Sequence, residues 1–258
     1  MEVEAQGDPE FMTSLARGLS VLRCFADQQR PMTIAQASRL TGLSRPSVRR
    51  CLHTLVRLGY ATQDGSSYAL RPKTLSLGFA YLSSSSLAMR AQPMLDSLRD
   101  RLGESCSLGV LDEAEVYYVA RAETTRIMSI SLRVGSRLPL YATSMGRVLL
   151  AAMPGAERKT YLHSVNMQKF TDRTETSPAT LMAYIDKVQE DGFAIVDQEL
   201  ELGLRSLAVP VRGAQGQVIA ALNIGTHAQR VPAAKLRSQY LPELRRVAQD
   251  ISLLGLDR

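Results

Sequence analysis

Residues 43–60, LSRPSVRRCLHTLVRLGY, restrict the fold more than any other stretch of the chain. At about 100° per residue on a helix, Val48, Cys51, Leu52, Leu55, Val56 and Leu58 fall within an arc of roughly 160°. Arg45, Arg49, Arg50, His53 and Arg57 fill the adjoining arc of roughly 140°. An apolar face this wide has to pack against other elements, so the helix belongs to a domain that presents its cations in one direction. A solvated basic face is the plain alternative. Such faces usually mix signs to gain i,i+4 ion pairs, and this one holds no Asp or Glu.

The neighbouring sequence supplies the domain. SLARGLSVLRCFAD (Ser14–Asp27) and TIAQASRLTG (Thr33–Gly42) carry apolar residues at helical spacing. Pro31 precedes the second segment, Thr33 is placed to cap it and Gly42 to stop it; Ser44 can cap the third, with Pro46 in its first turn and Gly59 at its end. The short Thr41-Gly42-Leu43 link makes a helix-turn-helix, and YATQDGSSYALR (Tyr60–Arg71) reads as a hairpin about Asp64-Gly65-Ser66-Ser67. The pattern predicts a winged helix-turn-helix whose third helix enters the major groove of double-stranded DNA. Ser44, Arg45, Pro46, Ser47, Arg49, Arg50 and His53 would then lie near bases and phosphates.

Charge is distributed to match. Residues 13–90 hold 11 Lys and Arg against Asp27 and Asp64, a net +9, while the first 12 residues carry −4 and the remaining 168 only +1. The field that attracts a polyanion therefore sits in the first third of the chain. With 258 residues there is room for two domains. The expected division is a disordered leader at 1–12, the DNA-binding domain at 13–73, a linker helix region at 74–92 and a second domain at 93–258. Within Thr74–Leu102 the helical pattern of Leu75, Phe79, Leu82, Leu95, Leu98 and Leu102 is interrupted by Ser83–Ser86 and by Pro93, which predicts connecting helices with a break or bend near the serines.

The second domain alternates strands and helices, an α/β (α+β) pattern. GESCSLGVLD and EVYYVARAE read as strands about Asp112-Glu113-Ala114, and IMSISLRVG as a third. MGRVLLAAM is a helix capped by Thr143 or Ser144 and stopped by Pro154-Gly155; ERKTYLHSV and ATLMAYIDKVQEDG, after Ser177-Pro178, are two more. AIVDQE, LRSLAVPVRG and QVIAALNIG are strands, and a helix from about residue 233 closes the chain. Together they predict an antiparallel sheet with helices on its faces.

The runs LARGLSVLRCF and TIAQASRLTGLSRPSVRRCLHTLVRLGYA with the hairpin, followed by LPLYATSMGRVLLA and DGFAIVDQELELGLRSLAVPV, resemble the IclR family of bacterial transcriptional regulators over nearly the whole chain. The resemblance implies an N-terminal winged helix-turn-helix and a GAF-like effector-binding domain. It further implies dimers, with contacts from the linker and first domain and dimers of dimers as a further state, on a palindromic operator. Its effector pocket falls on Ser144, Met145, Asp197, Ser206 and Asn223, with Ile130, Leu138 and Tyr141 as apolar wall. Two departures from the commonest family pattern stand out: the Asp197-to-Gly203 spacing is one residue short, and Ser206 stands where many members carry Cys. Both look like the branch that senses protocatechuate, 4-hydroxybenzoate or ketoadipate-type acids.

The residues themselves support a small carboxylic acid, aromatic or otherwise. The first amides of the helix after YATS suit a carboxylate, although an ordinary capped helix would look the same. By alternation Asp197, Glu199 and Glu201 share a face, so one or more could accept from a ligand hydroxyl; a solvated strand end is the plain reading, above all for Glu201. Arg121 and Arg133, on expected strands, are further carboxylate partners.

Other classes find little support. His53, His163 and His227 have no His partner at i,i+4 and no HExxH, so no metal site is expected. There is no GxGxxG or GxxxxGK[ST], so no nucleotide cofactor is expected, and Ser144 lies in TSMGR rather than a GxSxG elbow, so no catalytic residue is assigned. An enzyme fused to a DNA-binding domain and a non-specific nucleoid-type binder are the alternatives to a ligand-responsive regulator. Cys24, Cys51 and Cys106, odd in number and without CxxC spacing, together with an acidic N-terminus unlike an export signal, predict a cytoplasmic protein, and no apolar run is long enough for a membrane helix.

Overall fold

The computed structural model describes residues 8–28, 30–84, 86–124 and 132–254. The chain forms two compact units, residues 1–81 and 82–258.

In the first unit, helices α1 (Thr13–Gln28), α2 (Ile34–Thr41) and α3 (Arg45–Arg57) pack against a small sheet of β1 (Met32–Thr33), β2 (Ala61–Asp64) and β3 (Ser67–Leu70). The caps follow from the sequence. Thr33 and Gln36 form a reciprocal capping box, with Gln36 N donating to Thr33 Oγ1 (3.3 Å) and Thr33 N to Gln36 Oε1 (2.8 Å). Gly42 ends α2 at φ +72°, and Ser44 Oγ accepts from Ser47 N to open α3. The turn between the helices is fastened by Ser38 Oγ donating to Leu43 O (2.6 Å) and Thr41 Oγ1 to Ala37 O (2.7 Å). Val21, Phe25, Met32, Ala37, Val48, Leu52 and Tyr68 form the core. Two details differ from expectation. Leu58, assigned by periodicity to the apolar face, lies one residue beyond the end of α3 and is 54% exposed. Strand β1, paired with β3 through Met32 and Tyr68, is too short to leave an alternating signal.

Helix α4 (Leu75–Ser84) straddles the boundary between the units, and α5 (Ser86–Leu102) runs on through Pro93 without ending. Residue 85, among the serines where a break is expected, lies outside the described residues, and Pro93 causes no break in α5. Leu87, Ala88 and Ala91, inside the stretch expected as a linker, are buried in the core of the second unit.

That unit is built on a six-stranded antiparallel sheet in the order β6-β5-β4-β9-β8-β7: β4 (Ser105–Asp112), β5 (Glu115–Ala122), β6 (Arg137–Pro139), β7 (Ala194–Asp197), β8 (Leu204–Arg212) and β9 (Val218–His227). Alternation divides its side chains between two cores. On one face Leu108, Leu222 and Ile224 meet α5 and the C-terminal helical segment, which comprises α9 (Ala233–Lys235), a π-turn (Leu236–Tyr240) and α10 (Leu241–Ser252). On the other, Val116, Ala208 and Ala221 meet α6 (Ser144–Ala152), α7 (Gly155–Ser164) and α8 (Pro178–Asp191). Small residues at 208 and 221 let α6 sit close to the sheet.

The expected third strand, IMSISLRVG, falls mostly outside the described residues. Its described end, residues 132–135, is no strand: Ser136 N donates to Arg133 O (2.9 Å) and Gly135 takes φ +88°, a turn that leads into the short β6. At the far edge, AIVDQE stops being a strand at Asp197, because Gln198 adopts φ +60°. That one residue breaks the alternation on which the grouping of Asp197, Glu199 and Glu201 depended.

Candidate functional site

Two places concentrate polar groups that the fold itself does not consume. The first is the outer face of α3. Val48 and Leu52 are fully buried, which fixes the helix rotationally. Ser44, Arg45, Pro46, Arg49, Arg50, His53 and Arg57 are consequently exposed, with Ser47 half-buried. Among the described residues no acidic side chain pairs with these arginines, so their charge is not neutralised locally. Arg45 and Arg49 also border a cleft formed with Thr33, Ile34 and Ala35 at the start of α2 and with Gln63, Ser66 and Tyr68 of the hairpin. Cationic side chains from the helix and polar groups from the wing thus converge on one surface, which suits a phosphate backbone as well as base edges.

The second is a cavity of about 220 Å³ in the second unit. Its floor is the α6-facing side of the sheet: Ser105 of β4, Tyr118 and Arg121 of β5, Leu204 and Ser206 of β8, Asn223, Gly225 and His227 of β9. Its walls are Ala142, Thr143 and Ser144 at the start of α6, and Leu200 and Glu201 in the loop after β7. Thr143 Oγ1 accepts from Gly146 N (3.1 Å), and the amides of Ser144 and Met145 come before Arg147 N, the first to donate to an intrahelical carbonyl, Thr143 O (3.0 Å). Arg121 donates from Nη1 to Ser107 Oγ (2.9 Å), and its Nη2 lies 3.5 Å from Glu123. Arg230 Nη2 donates to the buried Glu104 (2.6 Å), which offsets that carboxylate's charge and raises the guanidinium's pKa. Burial pushes the Tyr118 phenol well above its ordinary value, so it stays neutral.

Three buried polar atoms on cavity-lining residues have no hydrogen-bond partner among the described residues: Ser144 Oγ, Asn223 Oδ1 and Arg121 Nε. Each orphaned group costs about 1–3 kcal/mol. Their gathering at one cavity is the mark of a site shaped for something polar.

Of the residues singled out from sequence, Arg121, Ser144, Glu201, Ser206 and Asn223 line this cavity, Glu201 being the carboxylate for which a solvated strand end was the plainer expectation. Several others among the described residues do not. Ile130 lies outside the described residues. Arg133 is exposed in the turn before β6, and Leu138 is half-buried, paired with Val116 across β5 and β6. Met145 points into the apolar core, and Tyr141 is buried with its hydroxyl donating to Gln168 O (2.9 Å) and accepting from Gln168 N (2.7 Å). Asp197 is held by Arg205 on the neighbouring strand through two 2.9 Å hydrogen bonds, which keep its carboxyl below the usual range. Glu199 is buried against Arg147, Nη2 to Oε2 2.6 Å. The positive φ at Gln198 turns Asp197 and Glu199 to structural partners and leaves Leu200 and Glu201 on the cavity wall.

Sequence reasoning missed Glu104, Ser105, Tyr118, Thr124, Leu132, Thr143, Leu200, Leu204, Gly225, His227 and Arg230 as lining. One signal was available: along β9, Ala221, Asn223, Gly225 and His227 share a face that turns from apolar to polar, marking where the core gives way to a cavity.

Comparison with known proteins gives a consistent result. The family described as IclR helix-turn-helix domain matches residues 14–65, and that described as bacterial transcriptional regulator IclR C-terminal matches residues 79–253. The Pca regulon regulatory protein of Pseudomonas putida is 50% identical over 246 residues, which cover 95% of this chain and 84% of that protein. A transcriptional regulator from Rhodococcus sp. RHA1 superposes with a TM-score of 0.83 at 46% identity, covering 95% of this chain and 98% of that one. The inducer-binding domain of a double mutant of the PobR transcription factor from Acinetobacter, solved with 3-hydroxybenzoic acid, is 34% identical with a TM-score of 0.61, covering 64% of this chain and 97% of that one.

Proposed function

The chain belongs to the IclR family of bacterial transcriptional regulators, and from that premise we propose that it controls catabolism of a small hydroxylated carboxylic acid that it binds in the cavity of its second unit. It is a DNA-binding regulator, not an enzyme. Two copies of α3 enter successive major grooves of a palindromic operator in the cytoplasm, using Ser44, Arg45, Pro46, Ser47, Arg49, Arg50 and His53. The acid shifts the population of DNA-competent arrangements.

The observation that carries the effector reading is the trio of buried atoms that have no partner among the described residues. Arg121 Nε offers a charged donor, which calls for an anionic acceptor. Asn223 Oδ1 is an acceptor and calls for a hydroxyl. Ser144 Oγ can serve either, beside the N-terminus of α6, which also favours negative charge. A hydroxy acid answers all three, and its aromatic ring or short aliphatic chain would lie against Leu132, Val196, Leu200 and Leu204. The related Acinetobacter domain that binds 3-hydroxybenzoic acid supports this class.

A thermal-shift screen with 3-hydroxybenzoate, 4-hydroxybenzoate, protocatechuate and ketoadipate tests it. At least one acid should raise the melting temperature, and Arg121→Met should weaken binding of that acid about 10- to 100-fold by removing a charged donor. An Arg121→Met protein that binds as tightly as the parent would remove Arg121 from the site.

A further inference from the structure

We propose that the buried Arg147–Glu199 ion pair positions the two walls of the cavity, so that acid affinity depends on two side chains that do not line it. The chemical identity of the ligand rests on the effector reading above, whereas the clamp itself does not.

Arg147 follows Ser144 by one turn of α6 and is 3% exposed. Its Nε donates to Tyr141 O (3.0 Å), just before the wall residues Ala142, Thr143 and Ser144. Its Nη2 donates to Glu199 Oε2 (2.6 Å), just before the opposite wall residues Leu200 and Glu201, and its guanidinium lies 5.2 Å from the Tyr184 ring centre. Glu199 is pinned from a third direction: Oε2 also accepts from Glu175 N (3.0 Å), and its carbonyl accepts from Thr174 Oγ1 (2.5 Å). The base of the 198–204 loop is closed by Gln198 N donating to Leu204 O (2.7 Å). The part that bears Leu200 is held to α6 through Glu199.

A buried ion pair is a poor way to gain stability, since well-packed apolar residues of similar volume usually do as well or better. What a two-pronged, directional contact supplies is a fixed distance and angle between the segments it joins. Here the joined segments are residues 141–144 and 199–201, between which a ligand has to fit.

The test uses the full chain carrying Arg147→Met with Glu199→Leu, which replaces the pair by apolar bulk, and separately Glu199→Gln and Arg147→Lys. Acid-free hydrogen exchange is followed in peptides spanning 140–146 and 198–204, and 4-hydroxybenzoate and protocatechuate are titrated calorimetrically. We expect the double variant to melt close to the parent, to exchange faster in both segments, and to bind acid about ten-fold more weakly, with Arg147→Lys intermediate. Unchanged exchange in either segment, or faster exchange with parental acid affinity, overturns the proposal. Should the double variant fail to fold, Glu199→Gln keeps the shape and weakens the charge, and the same outcomes decide. If the parent binds neither of these, 3-hydroxybenzoate and ketoadipate are titrated in the same way; binding of none of the four fails the effector reading, and exchange alone still decides the clamp.

Discussion

Replacing Arg49 and Arg50 together by alanine should lower affinity for the operator at least about 100-fold while leaving the melting temperature unchanged. Each lost base or phosphate contact is worth roughly 1–3 kcal/mol, and the proposed dimer would lose both sets. Stability should hold because both side chains are exposed and, among the described residues, no ion pair joins them to the rest of the unit, whereas Val48 and Leu52, which anchor α3, are untouched. The measurement is fluorescence anisotropy on an operator recovered by the parent protein from genomic fragments, repeated over a range of salt. The salt dependence should also flatten in the variant, because fewer counterions are released. Parental binding by the double variant would mean that α3 is not the reading helix. Equal affinity of the parent for unrelated duplexes would mean that it is a nucleoid-type binder.

The second large effect is expected at Gly146. A Cβ there would collide with the backbone of Leu140, at its carbonyl oxygen, Cα and carbonyl carbon, none of which is the end of a flexible side chain. The 140–143 segment folds directly onto the first turn of α6, and only glycine leaves it room. Gly146→Ala should therefore cost about 3 kcal/mol, an overpacking penalty with no soft neighbour to yield, and lower the melting temperature by roughly 10 °C. Because Ser144 and the free amides of that turn move with it, the acid-induced thermal shift should disappear as well. Gly155→Ala is the control, since a Cβ at that position meets nothing within 4 Å. A Gly146→Ala protein with parental melting and parental acid response would show that the close approach has no bearing on the site.

These sites differ in how far they can be read from sequence, and the reason is locality. The face of α3 was legible because its determinants lie within 18 residues: the Ser44 cap, Pro46, the apolar arc and the stripe without acids. Most strands of the second unit were legible from their patterns, the stretch before β6 being the exception, whereas Ser206 and Asn223 were singled out by the family resemblance rather than by alternation. What failed depended on single backbone angles or on distant partners. Gln198 at φ +60° exchanged the roles of Glu199 and Glu201, and nothing in VDQELELG announces that angle. Tyr141 and Met145 stand next to cavity-lining residues but turn into the core. Arg147 sits in an apolar helix, MGRVLLAAM, and its partner is 52 residues away, so its burial is visible only once the chain is folded. Glu104 and Arg230, which close one end of the cavity, are 126 residues apart.

The central claim is that one protein couples a duplex bound by α3 to an acid bound in the second unit. It is tested most directly by titrating the recovered operator with the full chain, with and without saturating 3-hydroxybenzoate, 4-hydroxybenzoate, protocatechuate and ketoadipate in turn, for the parent and for Ser144→Trp. The account predicts that at least one acid shifts parental operator affinity several-fold or more, as expected for a coupling free energy of about 1–3 kcal/mol. Ser144→Trp, which fills the cavity beside the start of α6, should bind the operator like the parent and ignore the acid. Parental affinity that no acid changes, or a Ser144→Trp protein that still responds, would contradict it.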